Sequence, residues 1–197
     1  FYMGEIDEEE GNDDSALRNY EFSAKISGDE EVESRARIRR AKIFYRTGDW
    51  DTANKELKAV TAPGYSAYAA MLKGLWAQKL GNYDDADKAL RGALEVAKAD
   101  SIIHKTTVIL GDNRFYTKNY VQALKDYQSV PISDSLRLRI AQTFSKMGKS
   151  EAAVKPLSEI LKNEGSPQDK LAALEMLQQF YREGAETAEV TQTLLNT

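Results

Sequence analysis

Five short strings recur along this chain at nearly even intervals, and nothing else in the sequence restricts its fold as much. Gly81-Asn82-Tyr83 is followed by Asp84, Asp85 and Ala86, then by Leu90 and Ala93. Gly48-Asp49-Trp50 is followed by Asp51, Thr52 and Ala53, then by Leu57 and Val60, and the two strings superpose at an offset of 33 residues. Lys118-Asn119-Tyr120 leads to Ala123, Tyr127 and Val130 at an offset of 37, and Gly148-Lys149-Ser150 leads to Ala153, Leu157 and Ile160 at an offset of 30. Gly11-Asn12-Asp13, 37 residues before Gly48, leads to Ala16 and Tyr20. Seven residues upstream of each turn residue sits something small: Gly4, Ala41, Gly74, Gly111 and Ala141. An aromatic or apolar residue often follows three places later, as with Phe44, Ala77 and Phe144. A small residue, a turn and a recurring alanine describe two helices in close approach, with the large residue directly after the turn filling the wedge between them.

Periodicity supports helices throughout. Ala86, Ala89, Leu90, Ala93, Leu94 and Ala97 recur at the spacing of an amphipathic helix, with Asp84-Asp85 at its positive end. The same reading predicts helices at 14–26, 31–47, 51–61, 66–80, 84–99, 103–117, 121–129, 134–147, 150–163, 168–183 and 186–195. Pro63-Gly64, Pro131 and Gly165-Ser166-Pro167 mark breaks between repeats, and Pro156 lies inside a predicted helix that it should bend. Gly184 is a poor sixth turn, since Leu177 rather than a small residue precedes it by seven. At the other end Phe1 begins partway through a first helix, whose Phe1, Tyr2, Met3 and Ile6 form an apolar face. Excision from a longer array is the expectation there, and pairing with another copy through that open end is the alternative.

The pattern resembles the tetratricopeptide repeat family, most fully in Gly74, Gly81, Tyr83, Ala86, Leu90 and Ala93, and the resemblance covers nearly the whole chain. It departs from the family in lacking the usual first-helix tryptophan, in Lys118 for the turn glycine and in Ser150 for the turn aromatic. The resemblance implies an all-α, right-handed α-solenoid of antiparallel helix pairs. About five repeats are expected, the first truncated and the last degenerate, in a single domain over residues 1–197.

Composition narrows the function. Hydrophobic residues make up 42% and charged residues 29%, which fits neither a disordered chain nor a membrane span. A net charge of −4 argues against a general nucleic-acid binder. Without cysteine there is no thiol nucleophile, no disulfide scaffold and no cysteine-ligated zinc site. His104 is the single histidine, placed at a predicted helix start where capping or surface exposure is the expected role. The acidic runs Glu8-Glu9-Glu10, Asp13-Asp14 and Asp29-Glu30-Glu31 lack the ligand alternation and closing glutamate of a calcium loop, and read as solvated turns and helix N-termini. No glycine-rich phosphate loop is present. The expectation is no enzyme, no metal and no cofactor.

In the family the first helix of each pair lines a concave surface that usually binds peptides or helices. Carried onto this chain, that face holds Arg35, Arg39, Lys42 and Arg46, then Tyr68, Leu72, Leu75 and Lys79. Lys105, Ile109, Asp112 and Tyr116 follow, and then Ser135, Arg139, Gln142 and Lys146. Such a groove, basic with an apolar floor, suits an acidic segment of another protein. The family's chaperone-tail clamp is not expected, because its places hold Ile38, Lys42, Leu72, Lys105 and Ile109 without an asparagine. The chain is thus expected to be a scaffold or adaptor. One alternative is a self-assembling or envelope-complex subunit, of the bacterial secretion or outer-membrane assembly type, using its convex face and open end. An analogy with such arrays leans toward the bacterial periplasm or envelope. A helical-repeat RNA binder is disfavoured, because the groove changes character from helix to helix.

Overall fold

The computed structural model describes residues 1–182, and among them every regular element is a helix. In chain order these are α1 (Tyr2–Glu9), α2 (Asp13–Ile26), α3 (Glu30–Thr47), α4 (Trp50–Lys58), α5 (Pro63–Lys79), α6 (Tyr83–Val96), α7 (Asp100–Tyr116), α8 (Tyr120–Gln128), α9 (Asp134–Lys146), α10 (Ser150–Lys162) and α11 (Pro167–Arg182). The predicted helix at 186–195 and the reading of Gly184 lie outside the described residues. By its contacts the chain divides into two compact units, Phe1–Thr106 and Thr107–Thr197. Within the first, each helix from α1 to α5 packs on its successor and α3 also touches α5; within the second, α8 to α11 pack in sequence and α9 also touches α11.

The five corners inside the helix pairs share one construction. Gly11, Gly48, Gly81 and Gly148 have φ of 78°, 89°, 78° and 70°, and Lys118, in the equivalent place, has φ of 62°. At every corner the N–H of this residue donates to the carbonyl three residues back, and the next N–H donates to the carbonyl five back. For Gly81 the bonds run to Gln78 O and, from Asn82, to Ala77 O, both at 2.9 Å; for Lys118 they run to Phe115 O at 3.0 Å and, from Asn119, to Arg114 O at 2.7 Å. This is the Schellman closure of a helix, which needs a left-handed residue after the last turn and so favours glycine.

Two helices start three residues before their predicted places, α5 at Pro63 and α7 at Asp100, and α11 starts one residue early at Pro167; Pro63 and Pro167, read as breaks, are the first residues of their helices. Proline at that place loses nothing, since its missing N–H has no acceptor within the helix and its φ is already helical. Asp29, Asp49 and Ser133 cap α3, α4 and α9 by accepting backbone N–H bonds, as from Glu31 N at 2.8 Å, Thr52 N at 3.1 Å and Leu136 N at 3.3 Å.

The small residues pack as expected, but the wedge between helices is filled by a different side chain. A Cβ added to Gly74 would lie 2.5 Å from Leu90 Cγ, one on Gly111 2.5 Å from Tyr127 Cε1, and one on Gly4 2.8 Å from the Tyr20 ring. The filler is thus the residue nine places past the turn, whereas Trp50, directly after its turn, is 48% exposed. The alanines five past each turn, Ala16, Ala53, Ala86, Ala123 and Ala153, are all buried. The helix period explains the exchange: residues four apart share a face, so the fifth and ninth places point together into the pair, and the second does not.

Candidate functional site

In the first unit four of the eight groove residues predicted on α3 and α5 line a common cavity, and Arg46, Leu72, Leu75 and Lys79 stand outside it. Arg35, Arg39, Lys42 and Tyr68 line a cavity of about 200 Å³ together with Phe1, Glu5, Ile38 and Tyr65. The Arg35 guanidinium lies 4.4 Å over the Phe1 ring, and the Lys42 ammonium 5.4 Å over the Tyr68 ring. Leu72 is buried beneath this face, Leu75 is half-buried, and Lys79 is exposed. Lys105 on α7 is exposed as well.

The arginines, however, already hold carboxylates of the chain itself. Arg39 donates to Glu5 at 2.9 Å and lies 3.7 Å from Glu8, and Arg46 is bonded to Asp13. Glu8 also accepts from the Tyr20 hydroxyl at 2.9 Å. Burial foremost, and then the bond to Glu8, push the Tyr20 phenol well above its ordinary value. Glu8, read from sequence as part of a solvated run, is thus half-buried and tied to α3, while Asp13 stands in the first turn of α2, as a helix N-terminus, and pairs with α3 as well. Their partners stand 31 and 33 residues further along, one repeat away, where no local pattern reveals them. Arg40 and Arg37, on another side of α3, reach Glu56 of α4 at 3.1 and 3.4 Å.

The second unit repeats this arrangement. Tyr116, Arg139 and Gln142 line a cavity of about 290 Å³ with Asp112, Phe115, Tyr127, Ser135 and Leu138. Asp112 accepts from Arg139 Nε at 2.8 Å and from the Tyr127 hydroxyl at 2.8 Å. Burial, reinforced by the charge of Asp112, holds the Tyr127 phenol far above its ordinary range. Gly4, Glu5, Tyr20 and Arg39 thus correspond to Gly111, Asp112, Tyr127 and Arg139: each arginine fastens one helix to the carboxylate of the preceding helix of the same kind. Gln142, Lys146 and Tyr116 stay exposed, and Ile109 is half-buried.

A third and larger cavity, about 680 Å³, was not legible as a stripe. It lies between α4 and α6, with α5 as its floor. Lys55 and Lys58 come from α4, Lys73 from α5 and Lys88 from α6, with Asp51, Asn54, Asn82 and Asp85 among the remaining polar groups. Tyr45 and Trp76 stack at its base, with ring centroids 4.4 Å apart and planes 10° from parallel, and Trp50 stands at the rim. Trp76 is buried, in keeping with its expected core role.

His104 falls in the second turn of α7 and is half-buried, not at the helix start as expected, because α7 begins at Asp100. Among the described residues no group of three or more histidine or carboxylate side chains is placed to hold a metal ion, and no helix is long and apolar enough to cross a membrane.

The model of the tetratricopeptide repeat-like domain matches residues 2–113. No curated protein matches the sequence. Among solved structures, the C-terminal part of a TPR repeat-containing protein from Cytophaga hutchinsonii superposes with a TM-score of 0.71 at 13% identity, covering 96% of this chain and 74% of that one. MamA from Desulfovibrio magneticus RS-1 gives 0.65 at 15% identity, over 82% and 90%. A signal transduction ATPase with a tetratricopeptide repeat sensor, from Pyrococcus horikoshii, gives 0.67 at 15% identity, over 99% of this chain and 35% of that one. At these identities the likeness is one of fold.

Proposed function

Because this chain belongs to the tetratricopeptide repeat-like family, we propose that it is a scaffold or adaptor that grips an acidic segment of another protein on the face of α3 and α5. The supporting observation is the cavity that gathers Arg35, Arg39, Lys42 and Tyr68. Arg39 is committed to Glu5, so the charges offered to a partner are those of Arg35 and Lys42, set over aromatic rings, with Lys79 at the edge. Tyr68 and Leu75 supply apolar contact. In the second unit Tyr116, Gln142 and Lys146 play the corresponding part. The arrangement uses charge to orient the segment and apolar area to hold it.

Reversing Arg39 or Arg139 would sever ion pairs of the fold itself, so the informative variant is Lys42→Glu with Lys79→Glu. Its affinity for the partner, measured by titration calorimetry, is expected to fall at least about tenfold, and wild-type affinity is expected to weaken with salt. Binding indifferent to both salt and the double reversal would refute the proposal.

A second reading rests on α1, where Tyr2, Met3 and Ile6 are 75%, 62% and 49% exposed. Self-association through this face predicts a concentration-dependent sedimentation coefficient that Tyr2→Lys with Ile6→Lys abolishes.

A further inference from the structure

We infer that the cleft between α4 and α6 is a second docking site, and that its occupant is an acidic polypeptide segment anchored by an aromatic side chain. It lies on a different face of α5 from the groove proposed above: Lys73, Trp76, Ala77 and Leu80 line it, whereas Tyr68, Leu72, Leu75 and Lys79 occupy the other stripe of the same helix.

The first argument is charge. Lys55, Lys58, Lys73 and Lys88 surround the opening, and among the described residues none of the four forms an ion pair within 4.0 Å. The arginines of α3 at positions 37, 39, 40 and 46 all do. A paired arginine presents little net charge to an incoming molecule, whereas these four lysines, against the two carboxylates of Asp51 and Asp85, leave the opening of this cleft net positive.

The second argument is shape. The stacked Tyr45 and Trp76 give a flat aromatic base, and Trp50 leaves about half of its surface exposed beside it. A half-exposed indole lining the same cleft as this aromatic base suits a further ring, in the stacked or edge-on arrangements that such rings favour.

The third argument separates a chain from a small anion. The α4 and α6 N-termini would otherwise attract a phosphate, but Asp51 and Asp85 in their first turns already occupy those positive ends. The lysines come from three different helices, α4, α5 and α6. They match carboxylates spaced along a segment, while Asn54 and Asn82 can pair with its peptide groups.

The test uses the whole chain and a fluorescein-labelled peptide with glutamates alternating around a central phenylalanine, read by fluorescence anisotropy. Lys55 and Lys88 are exposed, so Lys55→Glu with Lys88→Glu should fold, which circular dichroism verifies. Expected are saturable, salt-weakened binding and a loss of at least about tenfold in this double variant and in Trp50→Ala. A photoreactive phenylalanine analogue at the central place should cross-link to α4 or α6. No saturable binding, equal binding of the glutamine version, or equal competition by inorganic triphosphate would overturn the inference. Loss only in the Lys42 and Lys79 variant, with cross-links at Tyr68, would overturn it while supporting the groove on α3 and α5.

Discussion

Replacing Gly74 and Gly92 separately by alanine should change stability in opposite directions, although both glycines lie inside helices of the first unit. Alanine gains about 1 kcal/mol over glycine from helix propensity at either place. At Gly92 nothing lies within 4 Å of the new Cβ, so Gly92→Ala should stabilise by about that amount. At Gly74 the Cβ would meet Leu90 Cγ at 2.5 Å and Cδ2 at 2.7 Å, and Ala86 O at 3.3 Å. Leu90 is fully buried, and the struck atom is its branch point instead of a free end, so the side chain cannot swing away. Overpacking of this kind costs about 1–3 kcal/mol, and the upper part of that range applies when α5 and α6 must separate. The net expectation for Gly74→Ala is a loss of about 1–2 kcal/mol. Urea unfolding followed by tryptophan fluorescence reads this unit alone, because both tryptophans, Trp50 and Trp76, lie in it. Leu90→Ala in the Gly74→Ala background should cost less than the two single changes combined, since the added methyl occupies part of the vacated space. A Gly74→Ala protein as stable as Gly92→Ala would refute the close-approach reasoning.

Three further expectations follow from the same geometry. Lys118→Gly should stabilise by about 1 kcal/mol and Gly81→Ala should destabilise by a similar amount, as read by chemical denaturation, because both sit at positive φ. Asp112→Ala, which strands the Tyr127 hydroxyl and Arg139, should cost about 2–3 kcal/mol in thermal unfolding, and Tyr127→Phe only about 1 kcal/mol. With the Tyr127 phenol raised above its ordinary 10.0, its contribution to stability is intact below pH 10 and lost as pH climbs toward the folded value. Absorbance titration should therefore show Tyr20 and Tyr127 ionising last, and Tyr127→Phe should flatten the alkaline fall in stability.

The corners were readable in the sequence because each rests on one local demand, a left-handed residue, and four of five are glycine. Lys118 was found only because the alanine and tyrosine that follow it keep the register. The start of α5 was placed three residues late, since Pro63 was read as a break and proline marks both a break and a beginning. The arginine stripe of α3 was read correctly as a stripe and incompletely as a charge. Glu5 and Asp13 stand 34 and 33 residues before their partners, Arg39 and Arg46, and nothing local shows that they return to meet them. The cleft of α4 and α6 escaped for a related reason: its lysines come from three helices, and no single helix period aligns them.

Since every corner closes through main-chain bonds, its geometry depends chiefly on one residue able to hold a left-handed torsion. Exchange of a whole hairpin between arrays would then have to keep that residue at the bend and, at the seam, the ion pairs of Arg39 and Arg139 that hold one hairpin to the next.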